Sequence, residues 1–232
     1  MRCGMVKKLF GTVLDLLFPP RCAFCGRLLE GSGDVCPACE RDIPFRGEDA
    51  LTNIGEGRYP CAVALYYDGP VREGIRELKF GKKSWRAAVF ARYIAQVAAE
   101  RLGGTFDAVT YVPVSARRSF QRGFDQARLL AEGAAGIWGT RAESVLKKCR
   151  HNRAQSSLQD PEERRRNVRR VYAVPYPERV RGRRFLLIDD VCTTGSTLSA
   201  AADALLAAGA ASVVCAALAG GHRGAAERTD KI

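Results

Sequence analysis

The segment that most narrows the folds open to this chain runs Arg184-Phe-Leu-Leu-Ile-Asp-Asp-Val-Cys-Thr-Thr-Gly-Ser-Thr197. An apolar run of strand length delivers two adjacent acids, Asp189 and Asp190, to its C-terminal end. A turn of small and hydroxylated residues follows, with Thr193, Thr194, Gly195, Ser196 and Thr197 leading into an Ala-rich helix. Backbone amides and hydroxyls at such a helix start form a ready cradle for phosphate. Gly195 permits a close approach of backbone to ligand, and the paired carboxylates can accept hydrogen bonds from sugar hydroxyls. Paired acids alone would mean little more than a turn cap. The whole order of strand, acids, loop and helix is specific, and neither G-x-x-x-x-G-K-[ST] nor G-x-G-x-x-G is present to suggest another nucleotide frame.

Around this segment the pattern alternates. Cys61–Tyr67 reads as a strand, and Asp68-Gly-Pro opens a helix reaching Phe80. Ser84 caps a helix over Trp85–Leu102, Asp107–Val114 reads as a strand and Gly123–Trp138 as a helix. Phe185–Asp189, Ser196–Ala208 and Ser212–Leu218 continue as strand, helix and strand. Such alternation predicts an α/β fold with an open, mostly parallel sheet and helices on both faces. At 232 residues the chain has room for one such domain plus a small appendage. The polar, Gly-rich stretch 40–58 places the boundary, giving a module over 1–47 and a domain over 59–232.

The module is marked by Cys22, Cys25, Cys36 and Cys39, spaced C-x2-C-x10-C-x2-C. Two C-x-x-C turns can aim four thiolates at one tetrahedral Zn²⁺, and Gly26 suits the turn beneath the first pair. Two such pairs so close together fit zinc far better than a redox pair. Four thiolates leave no open coordination position, so the metal would be structural. Cys61, Cys192 and Cys215 lie in or beside apolar runs and read as core residues. Upstream, the apolar spacing of Val6, Leu9, Phe10, Val13, Leu14 and Leu17 fits one helix face, and Asp15 with Pro19-Pro20 argues against a signal peptide. A helix packed on the rest of the protein is expected, in a cytoplasmic chain, with membrane-surface contact the weaker reading.

The formal net charge is +12, and residues 115–184 carry 18 Lys and Arg against 7 Asp and Glu. A surplus so concentrated, mostly Arg, points to a phosphate-bearing partner, with a solvated basic face as the bland alternative. Within it, 150–170 reads R-H-N-R-A-Q-S-S-L-Q-D-P-E-E-R-R-R-N-V-R-R. Arg153, Gln155, Arg164, Arg165, Arg169 and Arg170 are the candidates there, either on a loop that closes over substrate or on a nucleic-acid backbone.

The strand, acids and Thr/Gly/Ser-rich loop resemble the phosphoribosyltransferase signature. That resemblance implies that Asp189 and Asp190 hold the ribose hydroxyls of phosphoribosyl pyrophosphate, and that Thr193 to Thr197 hold its 5′-phosphate, with Mg²⁺ accompanying the pyrophosphate. The likeness extends to the ComF family of competence-associated proteins, which joins a four-cysteine zinc module to such a domain. Its landmarks recur as Phe18-Pro-Pro-Arg-Cys22, Leu78-Lys-Phe80, Val112-Pro-Val-Ser115, Arg122-Gly-Phe-Asp-Gln126, Arg153-Ala-Gln155 and Arg164 to Asn167. By the same resemblance Ser115, Ala116, Arg117 and Arg118 would form a pyrophosphate loop, with Arg122 and Lys79 adding charge. One departure is Asp125, where the family usually carries Asn, and an ionised Asp cannot donate a hydrogen bond.

The resemblance implies a cytoplasmic factor for DNA uptake that handles single-stranded DNA in natural transformation. Competence or recombination proteins, and peripheral contact with inner-membrane machinery, would be its partners. Two other readings stand beside it: an active phosphoribosyltransferase of nucleotide salvage or purine synthesis, and a ligand-sensing regulator without turnover. No acceptor site is legible, because little chain follows the last predicted strand. Tyr66 and Tyr67 are stacking candidates for a base, although aromatics at a strand end more often pack.

Overall fold

The computed structural model describes residues 19–149, apart from Ser32, Lys82, Thr105 and the side chain of Ala116, and residues 171–222. The expected N-terminal helix and the arginine candidates of 150–170 lie outside the described residues.

Cys22 to Cys39 form two turns, and the second opens a short helix α1, Pro37–Asp42, with proline at its first position. The chain then enters a six-stranded sheet in the order β1-β2-β8-β7-β3-β4. Its strands are β1 (Leu51–Ile54), β2 (Tyr59–Leu65), β3 (Ala108–Tyr111), β4 (Ala142–Glu143), β7 (Arg184–Val191) and β8 (Ser212–Ala219). Only β1 runs antiparallel, as a hairpin with β2, and every other pairing is parallel. A second, two-stranded ladder pairs β5 (Lys147–Lys148) with β6 (Tyr172–Ala173).

The parallel strands read as nearly continuous apolar runs because both faces are covered. In β2, six of the seven residues are buried. On one face lie α2 (Gly69–Phe80), α3 (Arg86–Leu102) and α5 (Gln126–Ile137), with Ile75, Phe90, Ile94 and Leu130 in one cluster with Leu186 and Leu218. On the other lies α6 (Ser196–Ala207), whose Leu198 and Leu205 meet Phe185, Leu187 and Cys215. Cys61, Cys192 and Cys215 are all buried in that second cluster.

Three local details depart from the pattern read in the sequence. The stretch read as a domain boundary contains β1, so the sheet begins before Tyr59. The run 123–138 is not one helix with its start at Gly123. A short helix α4 (Ala116–Arg122) ends at Gly123 in the left-handed region, φ 82°, and Asp125 caps α5 afresh. Ser84 does not cap α3; Trp85 occupies that position without a side-chain bond.

The cysteine module is not a bead on a string. Cys22, Ala23, Phe24, Cys36 and Cys39 share one buried cluster with α2, α3 and α5. Phe24 packs on Phe90 and Tyr93 with ring centroids 5.2 and 5.9 Å apart. Gly74 of α2 passes so close that an added Cβ would stand 3.2 Å from the Phe24 Cα.

Candidate phosphate site and metal centre

The signature acids stand at the C-terminal edge of β7, where ligands bind in open parallel sheets. Asp190 is buried and its Oδ1 lies 2.9 Å from the Lys79 Nζ, a cation delivered by the last turn of α2. Asp189 accepts a hydrogen bond from the Asp190 amide at 2.8 Å. Burial pushes the Asp189 carboxyl well above the usual carboxylate range, and the Asp190 charge pushes it further.

The loop that follows is open. Thr193, Thr194, Ser196 and Thr197 are exposed, and α6 starts at Ser196 with no side-chain cap from Gly195. The Thr194 Oγ1 accepts from the Ser196 amide at 3.4 Å and lies 3.1 Å from its hydroxyl, a local bond that shapes the turn. The remaining first-turn amides of α6 have no intrahelical acceptor and face the direction from which an anion would arrive. Gly195 adopts φ 71°, and an added Cβ would meet the Ile54 side chain at 2.6 Å. Its glycine is thus demanded by backbone conformation and by the edge strand β1, a role not legible in the loop alone. Behind the loop, Gly220 is fixed by the Cys192 carbonyl oxygen, which an added Cβ would approach to 2.1 Å.

Val112 to Ser115 leave β3 at the same edge. Ser115 is buried and its Oγ accepts from the Arg118 amide at 3.4 Å, capping α4. Arg117 and Arg118 are exposed on that helix. Arg122 donates to the Gln126 Oε1 at 2.9 Å and lies over the Phe80 ring at 5.0 Å. Burial draws its guanidinium downward, and the Asp190 charge opposes this. Lys79 therefore contacts Asp190 directly and Arg122 lies within its field, while Arg117 and Arg118 are exposed on α4. Asp125 does not need to donate: one oxygen accepts from the Val114 amide at 2.9 Å and the other from the Arg128 amide at 3.2 Å.

Two residues beside this site carry no signal in the sequence. Lys148 is half-buried, with its Nζ 3.4 Å from the Tyr172 hydroxyl and 5.3 Å from its ring. Burial lowers the Lys148 ammonium, then Arg118 lowers it further, while Asp189 and Asp125 raise it. They sit on the β5–β6 ladder. Two-residue strands have no periodicity to read. Tyr66, by contrast, donates to the Asp49 carboxylate at 2.6 Å and lies under Arg46.

At the other pole, the ligand sulfurs of Cys22, Cys25, Cys36 and Cys39 all lie within 4.8 Å of one another. Cys25 and Cys36 sulfurs are 3.7 Å apart. Tetrahedral zinc with Zn–S bonds of about 2.3 Å requires sulfurs about 3.8 Å apart, so the set fits the metal. The Cys36 sulfur also accepts from the Cys39 amide at 3.4 Å, capping α1. Despite burial, surrounding backbone amides hold the Cys22 thiol down to about 6. Burial and the neighbouring sulfurs push Cys39 up. A dication resolves that competition by accepting all four as thiolates.

Sheet, signature edge and metal module together define a phosphoribosyltransferase-type domain carrying a four-cysteine zinc ribbon. Residues 89–232 match the phosphoribosyl transferase domain family, and residues 13–56 match the double zinc ribbon domain. A "DNA utilization protein YhgH" of Salmonella typhi is 30% identical over 210 residues, spanning 83% of this chain and 86% of that one. "Competence protein F" of Haemophilus influenzae is 28% identical over 192 residues, spanning 78% and 76%. The B. subtilis glutamine phosphoribosylpyrophosphate amidotransferase covers 59% of this chain at 24% identity and a TM-score of 0.41, while this chain spans 26% of its length. This chain belongs to the ComF family. No helix among the described residues is long and apolar enough to cross a membrane.

Proposed function

We propose that this chain binds phosphoribosyl pyrophosphate with Mg²⁺ at the β7 edge and serves, in the cytoplasm, in the handling of single-stranded DNA during uptake. The observation that carries the first part is the Lys79–Asp190 pair at the mouth of the phosphate loop. A sugar whose hydroxyls donate to Asp189 and Asp190 displaces Lys79, which is then free to meet the pyrophosphate. The hydroxyls of Thr193 and Thr194 and the amides of Ser196 and Thr197 take the 5′-phosphate. Arg122, braced by Phe80 and Gln126, adds positive charge, and Arg117 and Arg118 extend it outward. Bound Mg²⁺ would neutralise the pyrophosphate and orient it. The second part is supported by the names of the relatives, one a DNA utilization protein and one a competence protein. The Arg-rich surplus over 115–184 supports it physically. Competence or recombination proteins are the partners this role implies.

Calorimetric titration with phosphoribosyl pyrophosphate and Mg²⁺ tests the site. Asp189→Ala with Asp190→Ala should weaken binding at least tenfold, since each charge-assisted contact is worth about 1.5 to 3 kcal/mol. Unchanged affinity in a folded double variant would refute the sugar assignment. Oligonucleotide binding across a salt series tests the other part, with a slope of about −0.7 per phosphate neutralised. No binding at low salt would remove the DNA role and leave the sugar-phosphate site standing.

A further inference from the structure

Arg86 is the largest fully buried side chain among the described residues, at 0% exposure. It opens α3, the helix against which Phe24 packs, yet its guanidinium belongs spatially to the first cysteine turn. Its Nη1 donates to the carbonyl oxygens of Ala23 and Phe24, the latter at 2.8 Å. Its Nη2 lies where a Cβ on Gly26 would approach to 3.1 Å, and the Trp85 ring covers it at 5.2 Å. Its Nε and Nη2 have no hydrogen-bond partner and no exposure.

A buried cation with two idle donors is costly by itself. Its electrostatic surroundings indicate what offsets that cost: Glu77, then Cys22 and Cys25, and last Glu73, an exposed acid paired with Arg76. Glu77 is already engaged by Lys83 at 2.5 Å, and the other cation at the cysteine turn, Arg21, donates to the Gly26 carbonyl oxygen at 3.2 Å from the exposed side, which leaves the buried side of the turn to Arg86. Zinc held by four thiolates carries a formal charge of −2. Three of the four ligand cysteines are buried, Cys25 being the exposed one, so most of the thiolate charge is held away from water, where an outer cation counts for most.

We propose that Arg86 is the counter-cation of the zinc–tetrathiolate centre, so that a residue of the transferase domain's own first long helix completes the metal site. The charge balance then makes the metal a condition for burying Arg86, and Arg86 a determinant of metal affinity. This holds whether or not the phosphate loop takes phosphoribosyl pyrophosphate.

The test is a cycle on the full-length chain, zinc-loaded and chelated, using Arg86→Met and Arg86→Lys. Competition with a chromogenic chelator should show Arg86→Met weakening zinc about 10- to 100-fold, the span found for outer-shell partners of metal ligands. Arg86→Lys, which keeps the charge, should stay within about threefold. In thermal melts Arg86→Met should lower the midpoint of the loaded protein clearly more than that of the chelated protein, where the stranded charge is also gone. Cobalt substitution adds a readout that packing alone would not move, a shift of the thiolate-to-metal bands in Arg86→Met. Unchanged zinc affinity with equal midpoint losses in both states would overturn the proposal. Should Arg86→Met fail to fold in either state, Arg86→Lys decides: a tenfold or greater loss of zinc affinity there overturns the assignment to charge.

Discussion

The turn around Phe24 and the loop around Gly195 are both short bends that present polar groups to a guest, and they are built in opposite ways. The first is largely closed: Cys22, Ala23 and Phe24 are fully buried, Cys25 is the one exposed ligand, and all four ligands come from 18 consecutive residues. The second is open, with four of its five residues exposed, and the groups around it arrive from α2, β3, α4 and β7. A closed site can rely on local spacing and core packing, because its guest is permanent. An open site must stay soluble and folded while empty, and it does so by setting its own charges against one another, as Lys79 does with Asp190.

The comparison breaks most visibly at the metal. Cys36→Ser removes one sulfur while its hydroxyl can still cap α1, and metal analysis should fall from one zinc per chain toward none. Because the knuckle shares its core with α2, α3 and α5, the loss should spread into the domain, costing about 3 kcal/mol or more of stability. Denaturant melts followed by tryptophan fluorescence would read it through Trp85 and Trp138. A domain that melts as before would show that the module is an independent appendage.

The two sites were legible to different depths for the same reason. Cysteine spacing names its own chemistry, and so does an apolar strand ending in two acids and a Thr/Gly/Ser turn. What long-range packing decides stayed hidden. β1 was missed because Gly55 and Gly57 read as a boundary, although they turn a hairpin at φ 62° and 84°. Lys79 could be named as a cation, but its partner is 111 positions away. Arg86 did leave a trace: it precedes Phe90 and Ile94 by four and eight positions, on the apolar stripe of its helix. A charged residue in that register is a signal that something across the interface needs it.

Asp189 sharpens the contrast from the open side. Its folded-state carboxyl is raised above the unfolded value by burial and by Asp190. A group raised in this sense lends stability that is complete below the unfolded value near 3.9 and is lost as pH rises through the native one. At neutral pH the buried acid therefore burdens the ligand-free fold. Asp189→Asn keeps the acceptor for the Asp190 amide and removes the charge. It should raise stability at pH 7 by about 1 kcal/mol, flatten the pH profile above 4 and weaken ligand binding, the trade expected of a functional residue. A variant less stable than the parent at pH 7 would show that the two acids are not strained by each other.

Asp125 holds the open site together without a metal. Its two oxygens tie the Val114 amide, in the loop after β3, to the first turn of α5 through the Arg128 amide. Burial raises its carboxyl while those amides oppose the rise. Asp125→Ala loses the cap and strands a largely buried amide, at about 1 to 2 kcal/mol. Asp125→Asn keeps one carbonyl acceptor, turns its amide nitrogen toward the other N–H and sheds the buried charge. Those changes oppose each other, so it should cost no more than about half as much. Urea melts of the two variants against the parent separate the cases. If Asn costs as much as Ala, the negative charge itself is needed at this position. Lys148, whose ammonium both Asp189 and Asp125 favour, would then depend on Asp125 as well as on Asp189.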